Sequence, residues 1–201
     1  VEEVKDYPYP IDTSSDVVMA KLEEFRDNFI WAPARALYDE PDKLETDDEE
    51  VADQLIQLGQ DKEHEVMIEA AYVIPGPEGV ERARLNQERG IPQRLLTNSL
   101  ATNDVAAAHA GYAKYRRELI RNGLELYELR PDANAVKSNW SVLACRSKAS
   151  LHTKAFVVDR ELVAIGSFNV DPRSMALNTE IVILVESLRQ SLLLLRGCLL
   201  T

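Results

Sequence analysis

Long apolar runs are missing from this sequence of 201 residues. A membrane-crossing helix needs about 18 consecutive apolar residues. The leucine-rich stretch near the end, Leu192 to Leu195 continued by Cys198 to Leu200, is broken by Arg196 and Gly197. The chain is therefore not expected to span a bilayer. Cysteine is scarce as well. Cys145 and Cys198 have neither CxxC spacing nor a neighbouring histidine, which argues against a disulfide framework or a zinc site and leaves reduced structural thiols. The first residue is valine rather than methionine, so a signal peptide or anchor can have been removed upstream. A dense basic patch is also missing. The net charge is -11 at pH 7, and no nucleic-acid partner is expected.

That charge is unevenly spread. Residues 1–65 hold 20 acidic and 6 basic side chains, whereas residues 66–201 hold 14 acidic and 17 basic. The second part is thus mildly basic, which suits an anionic phosphodiester. Residues 1–65 read as an acidic leader without a core of its own. Within it, Ser15 to Trp31 has helical periodicity through Val18, Leu22, Phe25 and Phe29. The charge run from Asp39 to Asp53 reads as a solvated linker or helix surface.

From Glu65 onward, strands and helices alternate. Val66 to Ile74 is β-prone and ends at Pro75-Gly76-Pro77. Glu78 to Arg89 reads as a helix closed by Gly90, and Arg94 to Thr97 as a short buried strand. Asp104 is expected to cap a helix from Val105 to Arg121, stopped by Asn122-Gly123, and Leu124 to Leu129 reads as the next strand. This βαβαβ order predicts an α/β fold with a mainly parallel sheet. Three more strands are expected, over Leu151–Val158, Leu162–Ile165 and Glu180–Val185.

Those last strands carry the chemistry. Alternate residues of a strand share a face, so His152 and Lys154 point the same way, as do Ser167 and Asn169, and Asn178 and Glu180. An imidazole, an ammonium, a hydroxyl, an amide and a carboxylate can then converge on one pocket. Phosphodiester transfer uses such a set. Lys154, Ser167 and Asn169 supply charge and hydrogen bonds for the anionic oxygens. Neutral His152 can attack phosphorus, and a carboxylate such as Glu180 can hold its tautomer. A second acid must protonate the leaving alkoxide. No metal or cofactor is called for.

The residues spell HxKx4Dx6GSxN: His152, Lys154, Asp159, Gly166, Ser167 and Asn169. Six positions at about 5% each make a chance match improbable. The pattern resembles the signature of the phospholipase D superfamily, which also carries a glutamate eleven residues after the asparagine, here Glu180. YVIPGPEG, LLTNSLATNDVAAAHAGYAKYR and GSFNVDPRSMALNTE are further similar to the second catalytic half of bacterial cardiolipin synthases, closest to the C type.

The resemblance implies a phospholipase D-like α/β/α sandwich with a mixed, mainly parallel sheet. It divides the chain into a leader or inter-half linker at 1–62, a catalytic half-domain at 63–187, and a truncated tail at 188–201. His152, Lys154, Asp159 and Glu180 would be the catalytic set, although Asp159, at a turn, reads as mainly structural. Lys154, Ser167 and Asn169 would bind phosphate. Asn98 and His109 are weaker pocket candidates: turn formation accounts equally well for Asn98, and a packed, hydrogen-bonded helix residue is the better account of His109. Tyr72 and Arg173 read as structural, and His64 as exposed.

The implied activity is a phosphatidyltransferase that makes cardiolipin from phosphatidylglycerol, with phosphatidylethanolamine a further donor, through a phospho-histidine. Its expected place is the cytoplasmic side of a bacterial inner membrane, peripherally held. The family carries two motifs per polypeptide and this chain carries one, so the partner would be a missing N-terminal half or a second copy. Two other readings remain open. One is a homodimeric phosphodiesterase, either a phospholipase D or a nuclease. The other is an inactive fragment that folds poorly or binds lipid without turnover.

Overall fold

The computed structural model describes residues 15–27, 31–46, 50–61, 63–131 and 150–186. Both cysteines and the 188–201 tail lie outside them. In chain order the elements are α1 (Ser15–Asp27), β1 (Ala34–Tyr38), α2 (Lys43–Thr46), α3 (Glu50–Gln60), β2 (Val66–Ala70), α4 (Gly76–Glu88), β3 (Gln93–Asn98), α5 (Ala106–Arg121), β4 (Leu124–Leu129), β5 (Lys154–Val158), β6 (Leu162–Gly166), α6 (Pro172–Ala176) and β7 (Ile181–Glu186).

The strands form one seven-stranded sheet in the order β1-β7-β6-β5-β2-β3-β4. The α/β class and the mixed sheet are as expected. The parallel part is smaller than expected, being confined to β2-β3-β4, while the other four pairings are antiparallel. The connections explain the balance. Helical crossovers of a dozen or more residues join β2, β3 and β4 and make them parallel. The three-residue link from β5 to β6 permits only a hairpin.

Local chemistry sets the ends of these elements. Gly90 and Gly123 take φ of 71° and 75° just beyond α4 and α5, a region that disfavours a side chain. Asp104 does not cap α5 as anticipated. Asn103 Oδ1 accepts the Val105 amide at 2.8 Å instead, and Asp104 is engaged elsewhere.

The core lies on one sheet face. Ile68, Phe156, Ala164 and Leu184 are lateral neighbours in register and so point the same way. Over β2–β4, α4 and α5 bury Ala83, Leu95, Tyr112, Leu119 and Leu124. Over β1, β7 and β6, α3 buries Val51 and Ala52 against Leu37, Ala164, Val182 and Leu184. A smaller buried cluster of Met67, Val157 and Val163 occupies the opposite face.

The first part of the chain, read as a leader without a core of its own, contributes to the main core. α1 does leave Val18, Met19 and Leu22 exposed. But β1 extends the sheet by pairing with β7, and α3 covers it. The reason is compositional: α3 carries Val51, Ala52, Leu55 and Leu58 on one face of an otherwise polar segment.

Candidate active site

Topology gathers the candidate residues at one rim of the sheet. The parallel strands end there at Ala70, Asn98 and Leu129, β6 ends there at Gly166, and β5 and β7 begin there at Lys154 and Ile181. Open α/β sheets place ligands at the carboxyl ends of their parallel strands.

Gly166 controls how closely β6 and β7 meet at this rim. A Cβ there would lie 2.1 Å from the Ile181 carbonyl oxygen and 2.7 Å from the Val182 Cα. Without one, Ser167 comes against β7. Its amide donates to the Ile181 carbonyl at 2.9 Å, and its Oγ accepts the Ile181 amide at 3.0 Å. The Ser167 hydroxyl donates to the Glu180 carboxylate. Glu180 is 5% exposed, and Asn178 Nδ2 donates to it at 3.3 Å.

Lys154 is half-buried, and its ammonium donates to the His152 carbonyl at 3.0 Å. Burial pulls its pKa below the ordinary lysine value, while the carboxylates of Glu180, Asp171 and Asp104 push it back. The His152 imidazole is exposed just ahead of β5. Its chain segment is tied down by Asn98, which is 1% exposed. Asn98 Oδ1 accepts the Leu151 amide at 2.8 Å, and Nδ2 donates to the carbonyls of Leu151 and Ala71 at 3.0 and 3.1 Å. Asn98 thus acts on the site through the backbone rather than by projecting into it.

Asn169 is 9% exposed, and its amide donates to Ser174 Oγ at 3.1 Å. Its Oδ1 is buried without a hydrogen-bond partner. Turned by half a revolution, the same side chain presents its NH2 there, a donor set suited to an anion.

Asp159 stands apart from this rim. It occupies the turn at the far end of β5, about 16 Å away by strand rise. The turn takes φ of 54° at Asp159 and 61° at Arg160. The carboxylate accepts the amides of Glu63, His64 and Glu65 at 2.9, 2.8 and 2.8 Å. Burial alone would raise its pKa, but these amide bonds outweigh it and the net shift is downward.

His109 lies in the first turns of α5, its ring edge-on to Tyr112 with centroids 5.6 Å apart and its Nδ1 buried without a partner. The Glu180 carboxylate is engaged by Ser167 and Asn178 rather than by His152.

Several rim residues were not read as functional from sequence. Tyr72 donates to Asp104 at 2.8 Å, and burial, Asp104 and Asp171 together raise its pKa, so it stays a neutral donor. Asp171 caps α6 through the amides of Arg173 and Ser174 at 2.8 and 2.9 Å. Its Asp-Pro-x-Ser pattern is a helix-start signal that sequence inspection can find. Asp39 and Lys43, behind the rim, had no comparable signal.

An apolar cavity of about 320 Å³, lined by Leu55, Ile68, Phe156, Phe168, Val170 and Met175 among others, lies beneath α3 and α4 and includes none of the polar rim residues. Among the described residues, no group of three or more His, Cys, Asp or Glu is placed to hold a metal ion.

Residues 53–194 match the family described as "Cardiolipin synthase, PLD-like domain". The chain is 41% identical over 166 residues to cardiolipin synthase C of Escherichia coli strain K12, covering 79% of this chain and 34% of that protein. It thus spans about a third of that relative's length. Among solved structures, Nuc from Salmonella typhimurium superposes with a TM-score of 0.57 at 15% identity, covering 83% of this chain and 91% of that one. Phosphatidylserine synthase from Haemophilus influenzae gives 0.56 at 15% identity, covering 80% and 36%. At such identities the likeness shows the fold.

Proposed function

As this chain belongs to the family of cardiolipin synthase, PLD-like domains, we propose that it supplies one half-site of a phosphatidyltransferase that makes cardiolipin. One observation carries this reading: Lys154, Ser167, Asn169 and Glu180 meet on a single rim, with the imidazole of His152 left exposed beside them.

The reaction runs in two displacements. An imidazole nitrogen of His152 attacks the phosphorus of a phosphatidyl donor, forming a P–N bond as the P–O bond to the headgroup breaks. The departing alkoxide takes a proton from an acid supplied across the site, by a second half or a second copy of the chain. A glycerol hydroxyl of phosphatidylglycerol then attacks the phospho-histidine. Its proton returns to that same group, and the new P–O bond releases His152. Two phosphatidylglycerols give cardiolipin and glycerol, and a phosphatidylethanolamine donor gives cardiolipin and ethanolamine. Water in place of the hydroxyl gives phosphatidic acid.

Lys154 meets the phosphate as an ammonium partly stripped of solvent, so its attraction for developing charge is strong. Asn169 and, once its hydroxyl turns from Glu180, Ser167 add donors, and Tyr72 is a neutral hydroxyl at the same rim. Phospholipid substrates place the work at a membrane surface. Among the described residues, no helix is long and apolar enough to cross a bilayer.

The test is mass spectrometry of lipids after incubating phosphatidylglycerol liposomes, with and without phosphatidylethanolamine, with the chain or its His152→Ala variant. Both are assayed alone and with the first half of cardiolipin synthase C. Cardiolipin that requires His152 is expected, in either the self-paired or the complemented arm. Equal product from His152→Ala would refute the assignment.

A further inference from the structure

A run of charged residues ordinarily stays in water, yet two charged members of the 39–53 run are buried. Lys43 is 2% exposed and Asp39 7%. An ammonium is tolerated out of water only when paired and fully hydrogen-bonded. Lys43 meets that condition. Its three N–H groups donate to the Asp39 carboxylate at 2.7 Å, the Asn178 carbonyl at 3.1 Å and the Ser174 carbonyl at 3.4 Å. Asp39 is as fully engaged. The oxygen that binds Lys43 also accepts the Glu180 amide at 3.0 Å, and the other accepts the Val51 amide at 3.0 Å. The Asp39 amide donates to the Glu180 carbonyl at 3.0 Å.

The bonds of this pair converge on the turn that carries the rim residues. The amide and carbonyl of Glu180 are both held by Asp39. The carbonyls of Asn178 and Ser174 are held by Lys43. Ser174, 0% exposed, in turn accepts the Asn169 amide through its hydroxyl. Glu180 and Asn178 bond to each other, and Glu180 to Ser167. An ion pair serving only to fill space would have no need to touch three backbone groups of one turn.

We propose that the buried Asp39–Lys43 pair is a positioning device, which fixes residues 174–180 from behind so that Ser167, Asn169 and Glu180 are in place before an anion arrives. The inference rests on reading the rim as a phosphate site. It makes the segment ahead of β2 part of the working site, although none of its side chains needs to touch substrate.

The experiment measures orthovanadate binding to the 201-residue chain by calorimetry, beside thermal unfolding. Lys43→Met leaves Asp39 as a lone buried carboxylate and is expected to unfold early. Asp39→Asn combined with Lys43→Met removes both charges and keeps an acceptor for the Glu180 amide at the expense of the Val51 amide, so it should regain part of that stability. The double variant is nonetheless expected to bind orthovanadate between about tenfold and a hundredfold more weakly, because the 174 and 178 carbonyls have lost their anchor. A folded double variant that binds as the wild type does would overturn the proposal. Lys154→Met serves as reference: if it too binds normally, the phosphate reading of the rim fails instead.

Amide hydrogen exchange decides the matter without any ligand. In the wild type, the Glu180 amide is expected to be as protected as that of Val182. In the double variant, the amides of Asn169 and Glu180 should exchange at least about tenfold faster while those of Leu95 and Leu126 hold their rates. Free exchange of the Glu180 amide in the wild type, or a uniform rise across the sheet, would mark an ordinary structural ion pair.

Discussion

Replacing Gly166 by alanine should force the two site strands apart. The added Cβ would sit 2.1 Å from the Ile181 carbonyl oxygen, against the 3.4 Å of ordinary contact, so β6 and β7 must separate by about 1.3 Å. Neither neighbouring backbone atom can swing aside, because Val182 and Leu184 of β7 are each 1% exposed and packed beneath α3. Overpacking of this kind costs about 1–3 kcal/mol. Weakening the two Ser167–Ile181 hydrogen bonds adds about 1 kcal/mol each. We expect a loss of about 3–5 kcal/mol, a large part of the roughly 5–15 kcal/mol that holds a domain together. Urea unfolding followed by far-ultraviolet circular dichroism would measure it as a lowered midpoint at constant slope. A displacement of this size also takes Ser167 out of register with Glu180, which should reduce turnover about a hundredfold in protein that is still folded. Gly59→Ala is the control, since a Cβ there meets nothing within 4 Å. A Gly166→Ala protein within about 0.5 kcal/mol of wild type, with unchanged turnover, would refute the close-approach argument.

Two further substitutions probe how the site is held. Asn98→Ala strips partners from the Leu151 amide and from the carbonyls of Leu151 and Ala71, at a residue 1% exposed. It should cost about 3 kcal/mol and lower turnover by loosening the segment before His152, and equal stability by urea titration would contradict it. Asp159→Ala removes three amide contacts at a partly exposed turn and should cost about 1–2 kcal/mol while leaving the kinetics of the folded protein alone. Because the folded carboxyl titrates below its unfolded value, its contribution is fully present above the unfolded pKa and fades as pH falls through the folded one. Wild type and Asp159→Ala should therefore differ at neutral pH and converge in strong acid. A gap that persists in acid would show that the charge is not the cause.

Much of the fold from residue 63 onward was legible from sequence because its signals are local. Turn residues at Pro75-Gly76 and Gly123 marked where elements change, and apolar runs placed β2, β4 and β6 within a few residues. Ser167 and Asn169 were grouped by the period-two spacing of a strand, whereas β6 ends at Gly166 and both residues sit in the loop beyond it. The place of Asp159 away from the rim was hidden for an equally local reason. A motif groups residues by spacing, whereas the fold put this one at the opposite end of the strand from His152.

What the chain determined by itself is the kind of site: which side chains carry charge, which carry donors, and that those of residues 152–180 lie on or beside the ends of strands able to bring them together. What the tertiary structure decided is which distant segments complete it. Asp39 and Lys43 sit 141 and 135 residues from the backbone groups they hold at 180 and 178. In sequence they belong to an acidic run that looks fully solvated. Their burial follows from β1 pairing with β7 and α3 closing over it, contacts between parts of the chain that share no local pattern. Periodicity reports the face a residue takes within its own element, and only the packing of elements on one another reports whether water remains on that face.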